Sequence, residues 1–238
     1  MVELFERVKT YLSFSRQELL DLLLGALVLG FVFSFRDWGF GKFSIAVLIA
    51  LLSILFHVVS QKIIALKVGF HAEYKIWWTG LGIAMILAFI SNGSTWWILV
   101  PGGVSFSLMA GLRLGRSRYG LNYFPMGMVG LVGAISSIVL ATIFKSIDLW
   151  FLGGSSVIFN SIFIFNLAYA VGSMLPIPPL DGHYLFYSSR LWYVFLFVTV
   201  VTYTVLSISF GIYSWIFALI AGGIAWLSFY IGAERGWR

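Results

Sequence analysis

Six runs of this chain, at about 19–35, 43–66, 125–144, 156–175, 192–208 and 212–231, are apolar over close to the length that a helix needs to cross a bilayer. That feature leaves little choice of fold. In hydrocarbon every backbone N–H and C=O must be satisfied within the protein, so isolated apolar runs of this length become helices. Composition agrees: of 238 residues 61% are hydrophobic and only 10% are charged, and the mean hydropathy is +0.98. A water-facing surface needs roughly a quarter of its residues charged, so most of this surface must face lipid. The expected fold is an all-α polytopic transmembrane bundle, with residues 17–238 forming one integral membrane domain behind a terminal segment, 1–16. There are no cysteines, which excludes disulfides and thiolate metal sites.

Within 1–16, Leu4, Phe5, Val8, Tyr11 and Leu12 fall at helical spacing among charged residues. This reads as a short amphipathic helix lying in the interface, with a frayed charged terminus as the alternative. Ser15 and Glu18 form a capping-box pattern ahead of the first apolar run. No small-residue cleavage site follows that run, so it reads as a retained span rather than a cleaved leader. The region from Gly80 to Leu112 is harder: its apolar parts, 81–90 and 95–111, are split by Ser91–Ser94 and interrupted at Pro101-Gly102-Gly103. A helical or extended hairpin that leaves and returns on one side of the membrane is the expectation.

Placing both termini in the cytoplasm, and returning that hairpin to the same side, puts twelve of the fifteen Lys and Arg inside. Only Arg36, Lys42 and Lys145 fall outside, a strong positive-inside bias. Trp38, Trp77, Trp78, Trp150, Trp192 and Trp215 sit near span ends, as an interfacial belt should. The net charge of +6 therefore flanks apolar runs rather than forming a nucleic-acid surface. Arg113, Arg116 and Arg118 read as a positive-inside loop in the same way, and the partner that the chain requires is the lipid bilayer.

Two segments stand out on the cytoplasmic side. One is Phe56-His57-Val58-Val59-Ser60-Gln61-Lys62. The other is Leu175-Pro176-Ile177-Pro178-Pro179-Leu180-Asp181-Gly182. Three prolines in four positions cannot continue a helix, so Asp181 is presented from a turn near membrane depth, where ionisable groups are costly and often functional. Taken singly, Asp181 could cap the next helix and His57 could bond to a neighbouring one.

Together the two segments resemble the site-2 protease family of intramembrane zinc metalloproteases. In that family an H-E-x-x-H helix supplies two metal ligands and a general base, and a later N-x-x-P-x-x-P-L-D-G segment supplies a third ligand, Asp. Pro176–Gly182 is similar to the second motif, with Ser173 in place of its Asn. Asn166 also resembles a family position, as do Lys67-Val68-Gly69-Phe70 and His71–Trp77, the latter being similar to archaeal members. Gly127–Ala134 falls where members often carry A-G-P. The resemblance implies a site-2-protease-like core in the plasma membrane of a prokaryote, an archaeon by its nearest likeness. His57 and Asp181 would be vestigial metal positions, and Asn166, Pro176, Pro178 and Pro179 would line a site for substrate or partner.

The departures bear on activity. Val58 stands where the general base belongs and Gln61 where the second His belongs. An isopropyl group cannot move a proton, and a neutral amide is a far weaker zinc donor than imidazole. The leading expectation is a pseudoprotease with no resident cofactor, binding transmembrane clients or a membrane partner. The alternatives are an active metalloenzyme with altered ligands, in which His183 replaces Gln61 and zinc is held, and an unrelated channel or transporter. Glu73 as a displaced base is weaker than either. Gly127, Gly130 and Gly133 read as a smooth helix face for close packing, and Asn92-Gly93-Ser94 as a turn.

Overall fold

The computed structural model describes residues 2–94, 99–100, 102–108 and 122–235. Helix α1 (Val2–Tyr11) precedes α2 (Arg16–Ser34) and α3 (Phe40–Val68). Strand β1 (Phe70–Ile76), α4 (Trp78–Ile90) and β2 (Gly102–Leu108) follow. Then come α5 (Tyr123–Phe151), α6 (Val157–Ser173), the short α7 (Asp181–Ser188), α8 (Arg190–Phe210) and α9 (Trp215–Phe229). Among the described residues, five segments are long and apolar enough to cross a membrane: α2, α3, α5, α8, and Ile212–Glu234, which contains α9. The run expected at 156–175 is α6, a 17-residue apolar helix. It stops at Ser173 because the prolines that follow cannot donate the next hydrogen bonds. The architecture is the expected helical bundle.

The centre of the bundle is α3, which packs against α2, α5 and α6. Its buried residues join those of α2 and α6 in the largest apolar cluster, around Leu29, Ile54, Val58, Phe165 and Tyr169. The outward faces of α2, α3, α5 and especially α9 stay apolar, with Leu20, Leu48, Phe217 and Ile224 all exposed. Such surface is stable only against lipid. Trp38, Trp78, Trp150, Trp192 and Trp215 are all exposed at helix ends.

The segment beyond α3 departs from expectation. Gly69 ends α3 in the left-handed region (φ 94°), where glycine carries no steric penalty. The chain then turns directly into β1, which pairs antiparallel with β2 from Phe70↔Leu108 to Ile76↔Gly102. The hairpin expected to begin at Gly80 therefore has strands as its arms and begins ten residues earlier. Its signal is a period of two: Phe70, Ala72 and Tyr74 are buried while His71, Glu73 and Lys75 point away from the core. Between the arms, α4 has 13 residues, roughly 20 Å, which is short for a span. Residues 95–98, 101 and 109–111, and the basic positions Arg113, Arg116 and Arg118, lie outside the described residues.

At the other end of the hairpin an unforeseen buried ion pair holds three elements. The Ser15 hydroxyl caps α2 by accepting from Glu18 N, as the capping-box pattern predicts. The Glu18 carboxylate does not return to Ser15. It accepts from Lys62 Nζ at 2.7 Å and from Tyr74 N at 2.9 Å. Lys62 also donates to Ser13 O at 2.8 Å and lies 4.1 Å from the centre of the Phe14 ring. Arg7 of α1 donates to Leu66 O at the end of α3, so the terminal helix is docked there.

Strict alternation of the spans is open to direct test. A single cysteine at Ser188 should react with a membrane-impermeant maleimide from the side that carries the termini, and one at Ser155, exposed between α5 and α6, from the opposite side. Reaction of both from one side would break the six-span path.

Candidate functional site

Helical spacing places His57 and Gln61, four residues apart on α3, on one face. That face is turned inward, leaving His57 2% and Gln61 1% exposed. Facing them across the contact is α5, where Gly130, Gly133 and Ser137 form a stripe of small residues. A methyl group at Gly133 would collide with His57 Nε2 and the Gln61 amide, one at Gly130 with the Asp181 backbone, and one at Gly127 with Ser188. The three glycines thus have a specific use: they let α3 and α7 approach α5 closely enough to meet each other.

The third component comes from the proline turn. Leu180 N donates to Ile177 O at 2.8 Å, closing the turn, and the carbonyl of Pro179 lies against Gly103 of β2, where any side chain would collide. Asp181 then opens α7. Leu180 occupies the capping position without a side-chain cap, and the Asp181 side chain turns inward instead of capping. Its Oδ2 lies 2.8 Å from His57 Nε2. Because a carboxylate only accepts, Nε2 is the donor in that bond, and Nδ1 hydrogen-bonds with the Ser137 hydroxyl at 2.9 Å. The Tyr169 ring of α6 packs 4.7 Å from the imidazole. Both nitrogen atoms of His57 are therefore engaged.

Gln61 is the unsatisfied member. Neither its Oε1 nor its Nε2 has a hydrogen-bond partner, and both are buried. Leaving such a group unpaired costs on the order of 1–3 kcal/mol. Val58, beside His57 in sequence, is fully buried in the apolar cluster and adds no polar atom.

The remaining candidates fall elsewhere. Asn166 is fully buried one helical turn before Tyr169, donating to Ser53 Oγ and Ile162 O, both at 2.9 Å. Pro176 and Pro178 are exposed and Pro179 is half-buried. His183 packs against the Tyr187 ring at 4.7 Å, and burial lowers its pKa, which favours the neutral imidazole. It is not gathered with His57 and Asp181: among the described residues no three of His, Cys, Asp and Glu come together to hold a metal ion. Glu73, on β1, lies 3.6 Å from His71 in a partly exposed pair. Ser137 escaped sequence reading, although its place four residues after Gly133 puts it on the glycine stripe.

The donor set is thus one imidazole, one carboxylate and one neutral amide. A catalytic zinc takes three strong ligands and a water. Here only two are strong, and one of them already hydrogen-bonds the nitrogen that the metal would need. The set does not fit a catalytic zinc.

No family model matches the chain, and no solved structure matches it. A protein of Methanocaldococcus jannaschii named "Putative zinc metalloprotease MJ0611" is 30% identical over 171 residues, covering 71% of this chain and 83% of that protein. By this relationship the chain belongs to the site-2-protease-like family.

Proposed function

We propose that this protein is a proteolytically inactive member of its family that binds or regulates membrane-spanning clients or a membrane partner. One observation carries the reading: the side chains at the positions of the general base and the second metal ligand are Val58 and Gln61, in a helix face otherwise built to meet Asp181. Hydrolysis by a metal-bound water needs a base to take its proton and an acid to protonate the leaving amine. General acid–base help of that kind is worth about 10²–10⁴ in rate, and Val58 supplies none. The His57–Asp181 hydrogen bond instead joins α3 to α7 directly, doing as a polar contact what a shared metal does in an active relative. On this reading a client or partner would meet the protein at the proline turn, where Pro176 and Pro178 are exposed.

The test is metal content and cleavage together. Protein purified without chelator should carry far less than one zinc per chain, His57→Ala should leave that value unchanged, and a membrane-spanning substrate panel should remain uncut after zinc is added. Stoichiometric zinc lost in His183→Ala, or zinc-dependent cleavage, would overturn the reading in favour of an altered metal site.

A further inference from the structure

A second feature lies at the opposite end of the bundle from the proline turn. A cavity of about 420 Å³ opens between the end of α2, the start of α3 and the start of α6. Its mouth is charged and its interior is not. Arg36, Asp37 and Lys42 line the mouth, while Phe33, Ile45, Ile49, Ile158 and Ile164 are among the apolar walls. Lys42, Ile45, Ala46 and Ile49 occupy one face of α3 over seven residues, so the groove runs roughly 10 Å along the helix away from the charged mouth. Exposed Trp38 and Phe40 flank that mouth, which places it at headgroup level.

The walls specify the occupant's tail. The two hydroxyls that line the cavity are already committed, Ser34 donating to Gly30 O and Ser161 to Val157 O, each at 2.8 Å. That leaves no free hydroxyl donor along a groove whose other wall residues away from the mouth are apolar, which suits a hydrocarbon tail better than a sugar or a peptide backbone. The mouth specifies the head. Two cations face one carboxylate, and the Lys42–Asp37 contact, at 3.7 Å with both side chains mostly exposed, is of the weak surface kind. Lys145, the other cation at this end, is engaged with Asp148 and Asn160. Arg36 and Lys42 thus offer a positive field to a phosphate. The volume suits a single chain and is too small for a helix, which is about 10–12 Å across.

We propose that this groove is a binding site for an anionic phospholipid, with its phosphate on Arg36 and Lys42 and one acyl chain lying between α3 and α6. A lipid held there fills the notch that α6 leaves beside α2 and α3 and fastens the start of α6 to α3. The site is independent of any catalysis at His57 and Asp181.

The experiment is native mass spectrometry of the full chain released from mild detergent after incubation with phosphatidylglycerol or phosphatidylcholine. The wild type should retain one phosphatidylglycerol at least about five-fold more strongly than phosphatidylcholine, each cation near a headgroup being worth about that factor. Arg36→Gln with Lys42→Gln should abolish the preference while leaving phosphatidylcholine retention unchanged. Ser161→Phe, which narrows the groove from its exposed side, should lower retention of both lipids. Equal retention of the two lipids by the wild type, or an unchanged preference in the double variant, would overturn the proposal. So would displacement of the lipid by glycerol phosphate alone, which would make the mouth a free-phosphate site, or by a membrane-spanning peptide, which would make the groove a client site.

Discussion

Replacing Val58 with Glu and Gln61 with His in the same molecule should turn a protein that holds little zinc into one that holds about one per chain. The structure supplies the physical basis. His57 and position 61 share a buried face of α3, Asp181 already lies 2.8 Å from His57 Nε2, and the absence of a side chain at Gly133 leaves room for both helix residues. Gln61 makes no hydrogen bond, so exchanging it for an imidazole breaks none. Two His and one carboxylate then leave a fourth position for water. The single variants should separate the contributions. Gln61→His alone should gain zinc without hydrolytic activity. Val58→Glu alone should express poorly, because it buries a carboxylate in an apolar cluster with no partner. Zinc per chain, measured on folded monodisperse protein, decides the matter. A folded double variant that takes up none would mean that positions 57, 61 and 181 meet as hydrogen-bonding groups in a geometry that no metal can use.

Much of this site was legible before the structure because it rests on spacing that a helix makes rigid. Residues 57 and 61 must share a face, and prolines at 176, 178 and 179 must end α6 and present Asp181 from a turn. The span runs were legible for a similar reason: lipid admits few alternatives to a helix. What escaped reading depends on tertiary contacts between segments that are locally ordinary. Phe70–Ile76 carries three polar residues in seven and looks like a loop until β2 pairs with it. Ser137 looks like any small residue of a transmembrane helix until His57 arrives from 80 positions away. Glu18 satisfies a local rule, the capping box, and then uses its side chain for a distant one. Lys62, counted in the sequence as a positive-inside charge, is almost fully buried.

That pair supports the second large expectation: Lys62→Met should destabilise the protein by about 3–5 kcal/mol, the usual cost of removing one partner of a buried ion pair. The Glu18 carboxylate would keep only its bond from Tyr74 N and would be left buried with no counter-ion. Glu18→Gln should cost less. Its amide oxygen can still accept from Tyr74 N, and Lys62 keeps the Ser13 carbonyl and the Phe14 ring. Combining the two changes should recover part of the loss caused by Lys62→Met, since the isolated charge disappears. A double-mutant cycle on the thermal unfolding midpoint in one detergent would measure that coupling. Additive single losses would show that the two groups sit close without interacting. The effect should also reach the site. The clasp joins the first turn of α2, the last turns of α3 and β1, and β1 pairs with the strand whose Gly103 lies against Pro179. Loosening it frees both the helix that carries His57 and the surface that supports the Asp181 turn. In the zinc-binding Val58→Glu, Gln61→His background, Lys62→Met should therefore speed zinc loss to a chelator, although Lys62 donates to nothing in the site itself.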